Sequence, residues 1–124
     1  MKLTTREKMD IMAFQMKYLD KSYKIDWNTI KLSKADGEVH NRMVANICIY
    51  LIHNDIPFLS QSRFNTGYRP DVVCPIRLPK SIIEVRNTET EKESQAKLKR
   101  TPKELHNSII YIDANQPFVE KMIL

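Results

Sequence analysis

Two short apolar runs, each broken by a single carboxylate, constrain this chain more than any other feature. The first is Tyr68-Arg69-Pro70-Asp71-Val72-Val73-Cys74-Pro75 and the second Ser81-Ile82-Ile83-Glu84-Val85-Arg86-Asn87. Their β-branched content reads as strand, and Leu78-Pro79-Lys80 reads as the turn of a hairpin between them. Successive strand side chains point to opposite faces, so Glu84 and Arg86 share a face with Ile82, as Asp71 does with Val73. Pairing about Leu78-Pro79 sets Asp71 and Val73 opposite Arg86 and Glu84, which gathers two acids and one base on one patch. A slip of one residue would send them to opposite faces.

Two carboxylates so close raise each other's pKa unless a cation lies between them. A hard divalent ion, which takes oxygen ligands and keeps several waters, suits such a pair. Asp71, Glu84 and the backbone carbonyl of Val85 are therefore candidate ligands for Mg²⁺ or Mn²⁺. The chemistry expected of such a centre is phosphate-ester hydrolysis, in which the metal polarises a phosphoryl oxygen and activates water.

Pro70-Asp71, a gap of twelve residues and then Glu84-Val85-Arg86 resembles the Pro-Asp…(Asp/Glu)-x-Lys signature of the PD-(D/E)XK nuclease superfamily. The resemblance implies an α/β, restriction-endonuclease-like core of helix, three-stranded meander, helix and strand, its mixed sheet flanked by helices. It extends from Asp36 to Ala114. It further implies an acid on the first helix, which falls on Glu38, and a glutamine on the second, which falls on Gln95. The implied activity is divalent-metal-dependent endonuclease hydrolysis of DNA phosphodiesters. Glu38, Asp71, Glu84, Arg86 and Gln95 are the implied catalytic set, and Glu38, Asp71, Glu84 and Val85 the metal ligands. Arg86 stands where the signature has lysine. Arginine keeps its proton in proteins, so Arg86 could stabilise charge on a phosphate but could not act as a base. It could equally bridge Asp71 or Glu84 and neutralise the acids without metal, leaving a nuclease-like module that binds DNA or a protein partner.

Composition agrees with an anionic partner without requiring one. Twenty Lys and Arg against fifteen Asp and Glu give the 124-residue chain a net charge of +5. Arg63, Tyr68 and Arg69 before the acid pair, and Lys97, Lys99 and Arg100 after it, are candidate DNA contacts. Cys48 and Cys74 lie in apolar runs without metal-ligand spacing and read as buried thiols of a reducing, cytoplasmic setting. The first residues offer no apolar signal core, and no run reaches the roughly 20 residues that cross a bilayer, so a soluble protein without membrane contact is expected.

The length suits one domain, divided into residues 1–35 as an N-terminal helix and connector, 36–114 as the core and 115–124 as a helical tail. Thr5 to about Lys21 forms an extra amphipathic helix whose stripe is Met9, Met12, Ala13, Met16 and Leu19, expected to pack on the core or in a homodimer. The apolar tail ending in Met122-Ile123-Leu124 is a second surface for docking or dimerisation, and Trp27 is expected to plug the end of the core.

The second helix, Glu38 to about Asn54, is apolar nearly all round and should be covered on more than one side. Glu38 falls on its Ala45, Ile49 and Ile52 stripe, while His40 faces elsewhere and reads as a surface or capping residue. Pro57 to Phe64 reads as the first strand. Thr88 and Thr90 open a polar helix running to Arg100, with Glu91 and Glu93 as capping-box partners. Ser108 to Asp113 is a strand which, being reached through that helix, should join the sheet in parallel.

Overall fold

The computed structural model describes residues 2–77, 80–87 and 91–123. Among the described residues three α-helices, α1 (Thr5–Tyr18), α2 (Glu38–His53) and α3 (Glu91–Arg100), accompany four strands. The strands are β1 (Leu59–Ser60), β2 (Val72–Val73), β3 (Ile82–Arg86) and β4 (Ile109–Asp113). They form one sheet in the order β1-β2-β3-β4. The first three make an antiparallel meander, and β4, reached through α3, lies parallel to β3. The chain is thus mixed α/β, and the succession α2, meander, α3, β4 follows the order expected from the sequence.

The early strands are much shorter than the apolar runs predicted. Gln61 takes a positive φ of 56°, which turns the chain out of β1 directly after Ser60. Pro70 and Pro75 bracket the second run and cannot donate to a ladder, so regular pairing is confined to Val72 and Val73. The expected turn at Leu78-Pro79 and the capping threonines Thr88 and Thr90 lie outside the described residues.

The alternation of β2 and β3 builds two cores, one on each face of the sheet. Val72, Ile83 and Val85 meet Met43, Val44, Ile47, Cys48 and Leu51 of α2, together with Ile112 and Ile123. Val73 and Ile82 on the other face join Phe14, Leu19, Phe64, Tyr68 and Leu105. Each fully buried aliphatic or aromatic side chain contributes about 1.5–3 kcal/mol, so the two clusters fix the sheet between α2 and α1. Ile123 seats the tail in its own chain's core, and Trp27 packs against the second cluster as expected. Burial pushes the Cys48 and Cys74 thiols up to about 12, so both are protonated at neutral pH.

Two helix faces differ from the sequence reading. Most of the predicted stripe of α1 points outward, with Met9, Met12 and Met16 63%, 62% and 67% exposed, while Leu19, just past the helix end, is buried as expected. The inward residues are Ile11 and Phe14, and Phe14 and Tyr18 form an aromatic cluster with Phe64 at centroid distances of 4.9–6.1 Å. Helix α2 is not covered all round: Ile49 and Ile52 are exposed. Its buried stripe runs through Val44, Ile47 and Leu51, and His40 is the next position back along that stripe. Gly37, at φ 82°, gives the turn from which α2 starts.

Candidate active site

The acid pair sits where the chain enters β2, beside the middle of β3. Val72 pairs with Ile83 and Val73 with Ile82, so the register continues to set Asp71 beside Glu84. The predicted pairing is displaced by two residues, which preserves which side chains share a face. The two residues then lock each other. The Asp71 backbone N–H donates to Glu84 Oε1 at 2.9 Å, and the Val85 N–H donates to Asp71 Oδ2 at 2.8 Å. The Asp71 side chain thereby takes over the acceptor role of a neighbouring strand's carbonyl, and one oxygen of each carboxylate is fixed to backbone.

The remaining two oxygens meet cationic groups from the helices. His40 Nε2 of α2 lies 3.2 Å from Asp71 Oδ1, and Lys97 Nζ of α3 lies 3.6 Å from Glu84 Oε2. Glu84 is only 4% exposed, so the Lys97 ammonium offsets much of the cost of burying its charge. The hydrogen bond to Asp71 is the main cause that raises the His40 pKa, against an opposing effect of burial, with the Asp71 and Asp36 charges adding to the rise. Burial first, and then the Glu84 charge, push the Tyr68 hydroxyl upward.

Asp71, His40 and Val85 open onto a polar cavity of about 550 Å³, whose walls also carry Asp36, Glu93, Arg69 and Lys97. A second cavity of about 360 Å³ is lined by Arg63, Gly67, Tyr68, Arg69, Lys97 and Arg100. Arg69 and Lys97 belong to both walls, so a basic surface adjoins the acidic floor.

Not all the predicted site residues converge. Glu38 is 80% exposed at its side chain, is bound to Arg42 one turn on, and lines other cavities than the one holding Asp71. It cannot supply the acid expected from the first helix without moving. Arg86 points its guanidinium at the Tyr111 ring, 3.6 Å from the centroid, and neither bridges Asp71 nor lines the cavity. Gln95 is exposed on α3, about 200° around the helix from Glu93 and Lys97. Tyr68 is a core residue at 2% exposure and offers little surface for the DNA contact expected of it. Arg63 lines the basic cavity and is held by Asp20 and Tyr23, while Lys99 and Arg100 are exposed. His40 is not the surface or capping residue that the sequence suggests: it turns inward to Asp71, in keeping with the helical spacing it shares with Val44, Ile47 and Leu51.

The donor chemistry fits a hard cation. Asp71 and Glu84 offer carboxylate oxygens and Val85 a backbone carbonyl, a set to which Mg²⁺ would add its own waters. Among the described residues no three of His, Cys, Asp and Glu stand ready as a metal cage, and binding here requires that Lys97 and His40 give up their carboxylate oxygens. No family model, curated protein or solved structure matches this chain. Among the described residues, no helix is long and apolar enough to cross a membrane.

Proposed function

We propose that this chain is a divalent-metal-dependent DNA endonuclease with a restriction-endonuclease-like core. The observation that carries the reading is the Asp71–Glu84 pair, locked through backbone hydrogen bonds of 2.9 and 2.8 Å, with Asp71 opening onto a cavity that Arg69 and Lys97 also line and Glu84 buried behind it. The order helix, meander, helix, parallel strand supports it, as does the spacing from Pro70-Asp71 to Glu84-Val85-Arg86.

Asp71, Glu84 and the Val85 carbonyl would hold Mg²⁺ or Mn²⁺, and the metal would supply Lewis-acid polarisation of the phosphate and a more acidic water. The chain's own residues do the rest. Arg69, Lys97 and Arg100 pair with backbone phosphates and set the strand across the acid pair. His40 holds Asp71 Oδ1 and keeps that carboxylate oriented. Arg86 stiffens the β3–β4 pairing through Tyr111 and does not take the role of the motif lysine.

A second reading has its own observation. Every carboxylate oxygen of the pair already has a nitrogen partner, with Lys97 and His40 as the cations. The same architecture would then bind DNA or a protein without cutting. Labelled single-stranded, duplex, flap and four-way-junction DNA incubated with Mg²⁺ or Mn²⁺ separates the two. Metal-dependent cutting supports the nuclease; binding to DNA with no cutting of any substrate supports the module.

A further inference from the structure

We propose that Lys97 is an exchangeable counter-ion: it holds Glu84 while the site is free of metal, and moves to a substrate phosphate when a divalent ion takes that carboxylate. The proposal rests on the metal-site reading above and adds a residue that the strand motif does not contain.

Glu84 is almost completely buried on β3 and needs a compensating charge. Arg86, two residues on along the same face, is the nearest cation in sequence, but its guanidinium lies over Tyr111. The charge comes instead from α3, where Lys97 Nζ is 3.6 Å from Glu84 Oε2. That distance is longer than a direct hydrogen bond, so the contact is an ion pair without one. The Lys97 side chain is 40% exposed, and its four-carbon stem reaches both the acidic cavity and the basic one. An ammonium placed in this way can leave Glu84 without disturbing the sheet and join Arg69 against an anion. A metal and Lys97 therefore compete for Glu84, whereas a phosphate and Glu84 compete for Lys97.

Competition has a signature that a purely structural lysine lacks, because removing Lys97 changes two affinities in opposite directions. The experiment is calorimetric titration of the full chain with MnCl₂ alone, followed by fluorescence anisotropy of labelled duplex DNA in Ca²⁺. Lys97→Gln should bind Mn²⁺ about fivefold more tightly than wild type and DNA more weakly. The exposed control Met12→Gln should match wild type in both. Mn²⁺ affinity that is unchanged or reduced in a folded Lys97→Gln would overturn the proposal. If that variant does not fold by circular dichroism, Lys97→Arg decides: a guanidinium grips Glu84 more firmly, so Mn²⁺ should bind more weakly than to wild type, and equal or tighter binding overturns the idea. Failure of wild type to bind Mn²⁺ would remove the metal-site reading together with this one. Normal Mn²⁺ binding by wild type with no response to Lys97 would remove this one alone.

Discussion

Asp71 and Glu84 hold each other through the backbone: the Asp71 N–H donates to Glu84 Oε1 at 2.9 Å, and the residue after Glu84 returns a bond to Asp71 Oδ2 at 2.8 Å. Neither carboxylate can rotate away without giving up a hydrogen bond to a part-buried N–H. The acid pair is therefore held in place at the entry to β2, between cationic groups that come from α2 and α3.

Arg86 gives the first prediction. Its guanidinium stacks on Tyr111 across the β3–β4 pair, so Arg86→Gln should lower stability by about 0.5–1 kcal/mol in denaturant unfolding. DNA cleavage by the folded variant should change little. A large loss of cleavage at unchanged stability would return Arg86 to the reaction centre.

His40 makes stability depend on pH in a definite direction. Asp71 raises the folded-state pKa above the unfolded value of about 6.5. The pair's contribution is then complete below that unfolded value and is lost as pH rises through the higher folded one. Urea unfolding of wild type and His40→Gln from pH 5.5 to 8.5 should show the larger difference at the acid end. A difference that grows toward alkaline pH would contradict the His40–Asp71 pairing.

The two faces of α1 should respond very differently to substitution. Phe14 packs against Tyr18 and Phe64, so Phe14→Ala should cost about 3–5 kcal/mol. Met12 is 62% exposed, and Met12→Gln should stay within about 0.5 kcal/mol of wild type by the same unfolding measurement.

Arg69 and Arg100 line the basic cavity next to the acid pair. If they contact phosphates, replacing either with Gln should lower the salt-dependence slope of DNA binding by about one unit and weaken all sequences alike. A slope equal to that of wild type would place the nucleic acid elsewhere.

The sheet order and the acid pair could be read from residue order because both rest on alternation with a period of two. The register was misread by an even number of residues, 71 facing 84 instead of 86, and an even error keeps every side chain on its proper face. The helix faces were harder to read. Helix α2 has apolar residues on most sides, so its pattern does not decide whether the Ala45–Ile49–Ile52 stripe or the Val44–Ile47–Leu51 stripe turns inward. The second does, and it carries His40, not Glu38, to Asp71. On α1 the evenly spaced methionines gave a cleaner helical repeat than Ile11 and Phe14, yet the aromatic ring found partners in Phe64 and Tyr18 and took the core side. The Lys97 contact depends on how α3 lies across β3, which no local pattern in either segment encodes.

The most direct measurement of the central claim is single-turnover cleavage of labelled DNA by wild type and Glu84→Gln, with Mg²⁺ present or chelated and with folding of both proteins checked by circular dichroism. The expected result is cutting by wild type that stops on chelation and falls at least about 100-fold in the variant, since Glu84 is needed both as a metal ligand and as the partner of Asp71. Cleavage that survives in Glu84→Gln, or that proceeds without metal, would contradict the assignment of the Asp71–Glu84 pair as the catalytic centre.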